Sequence, residues 1–129
     1  MIRIAFVLLM AIIAFHTVPV LAQSDDDICE ILTDEAGMAN DEAPLMVDDY
    51  MREDGTSVSC TDKTMETKLT VVASAASLPS DWRDQRQDEL NALYCEDELV
   101  ADGMNGGWTF TQTIAMPDGT SVTLKAVCE

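Results

Sequence analysis

"WTFTQTIAMPDGTSVTLKAVCE", residues 108–129, closes the chain and puts Cys128 one position from its end. Within it MPDGT, residues 116–120, carries Pro, Asp and Gly at the second, third and fourth turn positions. That order suits a type I turn closed by a glycine bulge. Pairing Met116 with Thr120 sets Ile114 opposite Val122, Gln112 opposite Leu124, Phe110 opposite Ala126 and Trp108 opposite Cys128. Side chains alternate across a strand. One face therefore collects Trp108, Phe110, Ile114, Val122, Leu124, Ala126 and Cys128. The other holds Thr109, Thr111, Thr113, Thr123 and Lys125. A one-residue slip would mix the faces, so turn chemistry and apolar pattern agree on one hairpin.

The preceding stretch, "SLPSDWRDQRQDELNALYCEDELVADGMNGG" (77–107), predicts the main helix. Ser80 is placed to cap it, Asp81 and Asp84 fill its first turn, and Gly103 to Gly107 end the segment. Trp82, Leu90, Leu93 and Val100 form its apolar stripe. Cys95 falls nearly opposite Leu93 on a continuous helix. A break near Cys95 is expected, with a second short helix behind the fresh acids of EDELVADG. The core-facing hairpin must pack against this helix, which pairs Cys95 with Cys128 and leaves Cys29 to Cys60.

Upstream, "SDDDICEILTDEAGMANDEA" (24–43) opens with Ser24 and three Asp, any of which can cap a helix, and predicts a short helix from about Asp26 to Met38. No stretch fits a calcium loop. "PLMVDDYMREDGTSVSCTDKTMETKLTVVASA" (44–75) predicts a hairpin of GTSVSC and Lys68–Ala73 about a TDKT turn, with an edge strand at Leu45–Val47. The expected fold is α+β: an antiparallel sheet of about four strands on one main helix, with two disulfides.

The chain begins "MIRIAFVLLMAIIAFHTVPVLAQSDDD", where one Arg precedes an apolar run that ends in V-L-A before Gln23. This is the pattern of a secretory signal peptide (residues 1–22), cleaved after Ala22 to leave one domain over 23–129. Pro19 and the lack of a basic stop-transfer cluster argue against a membrane anchor. Four cysteines, spaced by 31, 35 and 33 residues, fit two disulfides in an oxidising compartment better than zinc. The expected address is periplasmic or secreted.

Seven basic residues stand against 24 acidic ones, a formal charge of −17. That field repels phosphate backbones and excludes nucleic acid as a partner. It favours basic proteins, such as a cell-envelope hydrolase or a secretion component that this chain would inhibit or adapt.

Catalysis finds little here. The one histidine, His16, leaves with the leader, which removes the commonest general base and metal ligand. The thiols are expected oxidised, so no C-x-x-C chemistry is available. Ser–Lys chemistry has only Lys63, Lys68 and Lys125 to draw on. Carboxylate pairs such as Asp48 with Asp49 and Asp97 with Glu98 could serve a hydrolase, but a glycosidase-type site also needs an aromatic-lined cleft. Met38, Met46, Met51, Met65, Met104 and Met116 offer thioethers for copper(I), though at wide spacing. The reading is a non-enzymatic binding or accessory protein with no catalytic, metal or cofactor residues.

"ALYCEDELVADGMNGGWTFTQTIAMPDGTSVTLKAVC" (92–128) resembles the C-terminal half of small exported proteins of Gram-negative bacteria. In those a helix ends in Cys, a short acidic helix and a Gly follow, and an aromatic hairpin with a D-G turn closes on a last Cys. "PLMVDDYMR" is similar to their L-P-x-x-V-D-x-x-T-x-L segment, from which Arg52 and Glu53 depart. The resemblance spans Pro44 to Cys128 and implies an α+β sandwich with a periplasmic address and no assigned chemistry. Cys29–Cys60 is not part of that pattern.

Overall fold

The computed structural model describes residues 24–128; the expected signal peptide lies outside them. Helix α1 (Asp25–Glu42) is capped by Ser24, whose Oγ accepts from the Asp27 N–H at 3.3 Å. Three Asp in its first turn complement the helix dipole. It runs four residues past the expected end at Met38, to Glu42. Pro44, which has no N–H and disfavours a helical residue before it, follows directly. Ile28, Leu32, Glu35 and Ala36 form its buried face.

Strand β1 (Leu45–Met46) is one residue shorter than expected and pairs antiparallel with the start of β2 (Met51–Ser59). A tight turn leads to β3 (Thr64–Val71). In that turn Lys63 adopts φ 53°, a left-handed conformation uncommon outside glycine. A 3-10 turn (Ala75–Ser77) leads to α2 (Trp82–Cys95). Asp81 rather than Ser80 holds its N-cap position, with no side-chain cap bond. The break expected at Cys95 is present: Asp97 caps α3 (Glu98–Asn105) by accepting from the Leu99 and Val100 N–H groups. Strands β4 (Thr109–Ala115) and β5 (Ser121–Lys125) follow.

The sheet has five strands in the order β1-β2-β3-β4-β5, not about four, and it is not wholly antiparallel. β3 and β4 are parallel, with Thr64 beside Thr109 and Thr70 beside Ala115. The helical segment between them carries the chain back to the end where β3 started, and a connection of that length is what a parallel pair needs. Three helices, rather than one main helix, cover the sheet. α1 packs over β2, α2 lies beside β5, and α3 bridges α1 and α2.

The β4–β5 hairpin has the register derived from its turn. Ile114 pairs with Val122 and Gln112 with Leu124, and the Met116 N–H donates to the Thr120 carbonyl at 2.8 Å. Trp108, Phe110, Ile114, Leu124 and Ala126 are buried. Two details differ. Cys128 lies beyond β5 and is exposed, because pairing with β4 ends near Ala126. On α2 the buried residues are Leu90 and Tyr94, with Leu93 only half-buried. Trp82, Leu90 and Tyr94 repeat at multiples of four, so the stripe runs along one face and Leu93 sits at its margin.

Disulfides Cys29–Cys60 and Cys95–Cys128 have Cα–Cα distances of 5.6 and 5.4 Å. The first ties α1 to the end of β2, and the second ties the end of α2 to the tail after β5. Both sheet edges are also held by helix-borne amides. Asn40 of α1 bonds both backbone groups of Thr56 on β2, at 2.7 and 2.8 Å. Gln87 of α2 donates to the Lys125 carbonyl, and Asn91 accepts from the Val127 N–H. These amides stand in for a further strand where the sheet would otherwise end in free N–H and C=O groups.

Candidate functional site: a buried polar seam under the helices

α1 packs on β2 and α2 on β5, towards opposite sides of the sheet. Between them the inward-facing side chains of β2, β3 and β4 are not all apolar. Glu53, Thr56, Thr67 and Gln112 are buried there, each at the inward parity of its strand. Gln112 is 1% exposed, held in place by Arg86, whose Nε donates to its Oε1 at 3.0 Å. Arg86 sits on α2 midway between Trp82 and Leu90, in the centre of the core-facing stripe. Its side chain is 12% exposed, and its Nη1 also reaches Glu89.

The buried polar side chains are hydrogen-bonded to one another. Thr56 Oγ1 donates to Glu53 Oε1 at 3.3 Å and lies 3.2 Å from Thr67 Oγ1. Burial raises the pKa of Glu53 above the ordinary carboxylate range. The Thr56 hydroxyl and the Arg86 charge oppose that rise, and Glu42 adds to it. Tyr94, packed against Phe110 with ring centroids 5.5 Å apart, is pushed up to about 12 chiefly by burial. Glu53 and Glu35 add to this; Thr67 and Arg86 oppose it. Glu35 of α1, 9% exposed, is raised to about 7 by burial and by the nearby charge of Asp97. These residues form a desolvated polar seam that holds the Arg86 cation and two carboxyl groups whose pKa values burial raises.

The residues weighed for chemistry have structural positions. Asp48 Oδ1 accepts from the Tyr50 and Met51 N–H groups and shapes the entry to β2, while Asp49 is exposed. Asp97 caps α3, and Glu98 is exposed in its first turn. Lys63 Nζ bridges Asp25 and the Gly106 carbonyl. Lys68 and Lys125 lie on the exposed side of the sheet. Met51 and Met65 occupy opposite ends of the β2–β3 hairpin, paired with Val71 and Val58, and Met104 lies against Cys128. Among the described residues no group of three or more His, Cys, Asp or Glu is disposed to hold a metal.

Sequence reasoning missed Glu35, Glu53, Arg86 and Gln112. A signal exists for each. Arg86 is four residues from both Trp82 and Leu90, and Gln112 shares strand parity with Phe110 and Ile114. Glu53 shares parity with Met51, and Glu35 follows Ile28 by two helical turns.

Comparison with family models and with curated proteins found no match. Two solved structures share the fold. One is a Pseudomonas aeruginosa protein described as secreted, 16% identical, with a TM-score of 0.60 over 78% of this chain and 89% of that one. The other is EpsS, the pilotin of the Vibrio vulnificus type 2 secretion system, 13% identical, also with a TM-score of 0.60 over 80% of this chain and 90% of that one.

Proposed function

We propose that this chain is an exported, non-enzymatic accessory protein whose acidic surface binds a basic segment of a cell-envelope secretion component. The observation that carries this reading is the fold it shares with nearly the whole of a type 2 secretion pilotin. Three features support it. The signal-peptide pattern and the two disulfides suit a periplasmic address. The C-terminal Cys-helix-Gly-hairpin-Cys pattern resembles that of small exported proteins of Gram-negative bacteria. The net charge of −17 favours a cationic partner by long-range steering.

The test is capture from crosslinked envelope with the disulfide-bonded chain, at low and high salt. The comparison is a variant in which Asp41 and Glu42, at the end of α1, are both changed to Lys. The reading expects a secretion component, held more strongly at low salt and lost in the variant. Capture of a cell-wall hydrolase instead would identify the protein as an inhibitor or adaptor of that enzyme. Capture indifferent to salt and to the charge reversal would overturn the assignment of the acidic surface.

A further inference from the structure

β5 closes one side of the sheet, and only part of its outer edge is covered. Met116 bonds to Thr120 and Phe110 to Ala126. The same register makes hydrogen-bonded pairs of Ile114 with Val122 and Gln112 with Leu124. Bonded and non-bonded pairs alternate along an antiparallel ladder. The backbone groups of Ser121, Thr123 and Lys125 therefore point away from β4. α2 claims the far end of this edge: Gln87 donates to the Lys125 carbonyl at 2.8 Å, and Asn91 accepts from the Val127 N–H at 2.9 Å. Among the described residues, nothing pairs with the N–H and C=O of Ser121 and Thr123 or with the Lys125 N–H, and all three residues are exposed.

α2 runs beside β5 in the same direction, since Gln87 meets Lys125 and Asn91 meets Val127. One helical turn rises nearly as far as two strand residues. One turn before Gln87, Arg83 thus comes level with Thr123. Arg83 leaves the edge alone: its guanidinium lies over the Trp82 ring, 5.5 Å from the centroid. Neither Arg83 nor Lys125 has an ion pair among the described residues. Asp84 and Asp88 sit further round α2, and Asp118 of the turn is occupied by Thr120. Trp82, under Arg83, and Val122, between Ser121 and Thr123, are partly buried at the margin of the core. The open stretch is therefore flanked by two unpaired cations in a chain of net charge −17.

We propose that the Ser121–Lys125 edge of β5 is a docking strand, to which an extended segment of a partner protein adds as a sixth strand with an acidic side chain against Arg83. Main-chain hydrogen bonds supply the hold and alternate side chains the selectivity. Folds commonly cover or charge a strand edge. Here Asn40 covers Thr56 of β2, Gln87 and Asn91 cover the end of β5, and the stretch between the turn and Lys125 stays open. A second copy is a poor occupant, because two chains of this charge repel. The site is separate from the acidic surface and does not depend on the proposed function.

The test is an NMR titration of the disulfide-bonded chain with a capped peptide, Val-Thr-Glu-Thr-Val, and with its counterpart carrying Lys at the centre. In the free chain the Ser121, Thr123 and Lys125 amides should exchange about tenfold or more faster than those of Val122, Leu124 and Val127. The glutamate peptide should shift and protect those three amides. It should bind about threefold tighter than the lysine peptide, the scale of one exposed ion pair, and Arg83→Glu should reverse that preference. Thr123→Pro removes the outward N–H at a place where an edge tolerates proline, and should weaken binding about tenfold or more. Three amides left unmoved and unprotected at millimolar glutamate peptide would overturn the docking strand, and this readout decides should Thr123→Pro fail to fold. An unchanged charge preference in Arg83→Glu would overturn the acidic occupant. So would dimerisation of the peptide-free chain through Ser121–Lys125 in analytical ultracentrifugation, which would seat a second copy on the edge.

Discussion

Asn40 holds Thr56 by both polar ends of its side-chain amide. Its Nδ2 donates to the Thr56 carbonyl at 2.8 Å, and its Oδ1 accepts from the Thr56 N–H at 2.7 Å. A helix side chain thus satisfies the outer edge of β2 just where the two-residue β1 has ended. Gly55 makes room for it: a Cβ there would stand 2.9 Å from Asn40 Oδ1. The register irregularity between Glu53 and Gly55 falls at the same place, as expected where a strand edge turns to meet another element.

Asn40→Ala is expected to cost about 1–3 kcal/mol, the range for leaving a buried backbone pair unsatisfied. Gly55→Ala should act in the same direction by pushing the amide away. The double variant should cost less than the sum, because both changes break one clamp. Urea unfolding of the four proteins measures this directly, and strict additivity would show that the two residues act independently.

Arg86→Met should be among the more damaging conservative changes, at about 2–4 kcal/mol, because it strands Gln112 and leaves Glu53 without its cation. The sign of its pH dependence follows from Glu53. A carboxyl group raised by burial contributes stability that is full below its unfolded pKa and lost as pH rises through the folded one. Removing Arg86 raises Glu53 further, so the variant's deficit should be larger at pH 8 than at pH 5. Thermal melts at both values check this, and Glu53→Gln in the Arg86→Met background should remove the pH-dependent part.

Lys63 ties together three segments: Asp25 at the head of α1, the Gly106 carbonyl after α3, and the turn it occupies. Its ion pair is partly exposed, so Lys63→Met should cost only about 1 kcal/mol. Lys63→Val should cost more, since a β-branched side chain is strained at φ 53°. Lys63→Gly relieves the backbone while losing the same bonds, and should fall closer to Met than to Val. Denaturant midpoints of the three variants rank these effects.

Each disulfide closes a loop of just over thirty residues. By chain entropy alone this is worth about 3.5–4 kcal/mol apiece, an upper figure because native strain is neglected. Replacing Cys95 and Cys128 with Ser should lower stability by up to that amount and release the tail from Asn91. Mass mapping of the oxidised protein should recover the 29–60 and 95–128 pairs, and any other linkage would contradict the fold.

The register of the hairpin about MPDGT was legible, because turn chemistry and strand parity are local and both point to one pairing, although Cys128 lies beyond its end. So was the break at Cys95, while the cap of α1 was narrowed only to Ser24 or an Asp. The parallel β3–β4 pair was not legible. Lys68–Val71 and Thr109–Ala115 alternate in the same way whether their neighbour runs up or down, and only the route of the intervening helices decides. Glu53, Arg86 and Gln112 were passed over because a polar residue on an apolar face reads as an interruption of the pattern. Their pairing across α2, β2 and β4 turns that interruption into a seam.

Taken alone, the order of residues settled what depends on near neighbours: the cap and the turns, the inward faces of β3, β4 and β5, and a cysteine arithmetic that admits two bridges. The direction of β4, the reach of α1 to Asn40 and the company of Glu35 belong to the tertiary structure. Each depends on groups far apart in the chain whose burial and charge act only once folding has brought them together.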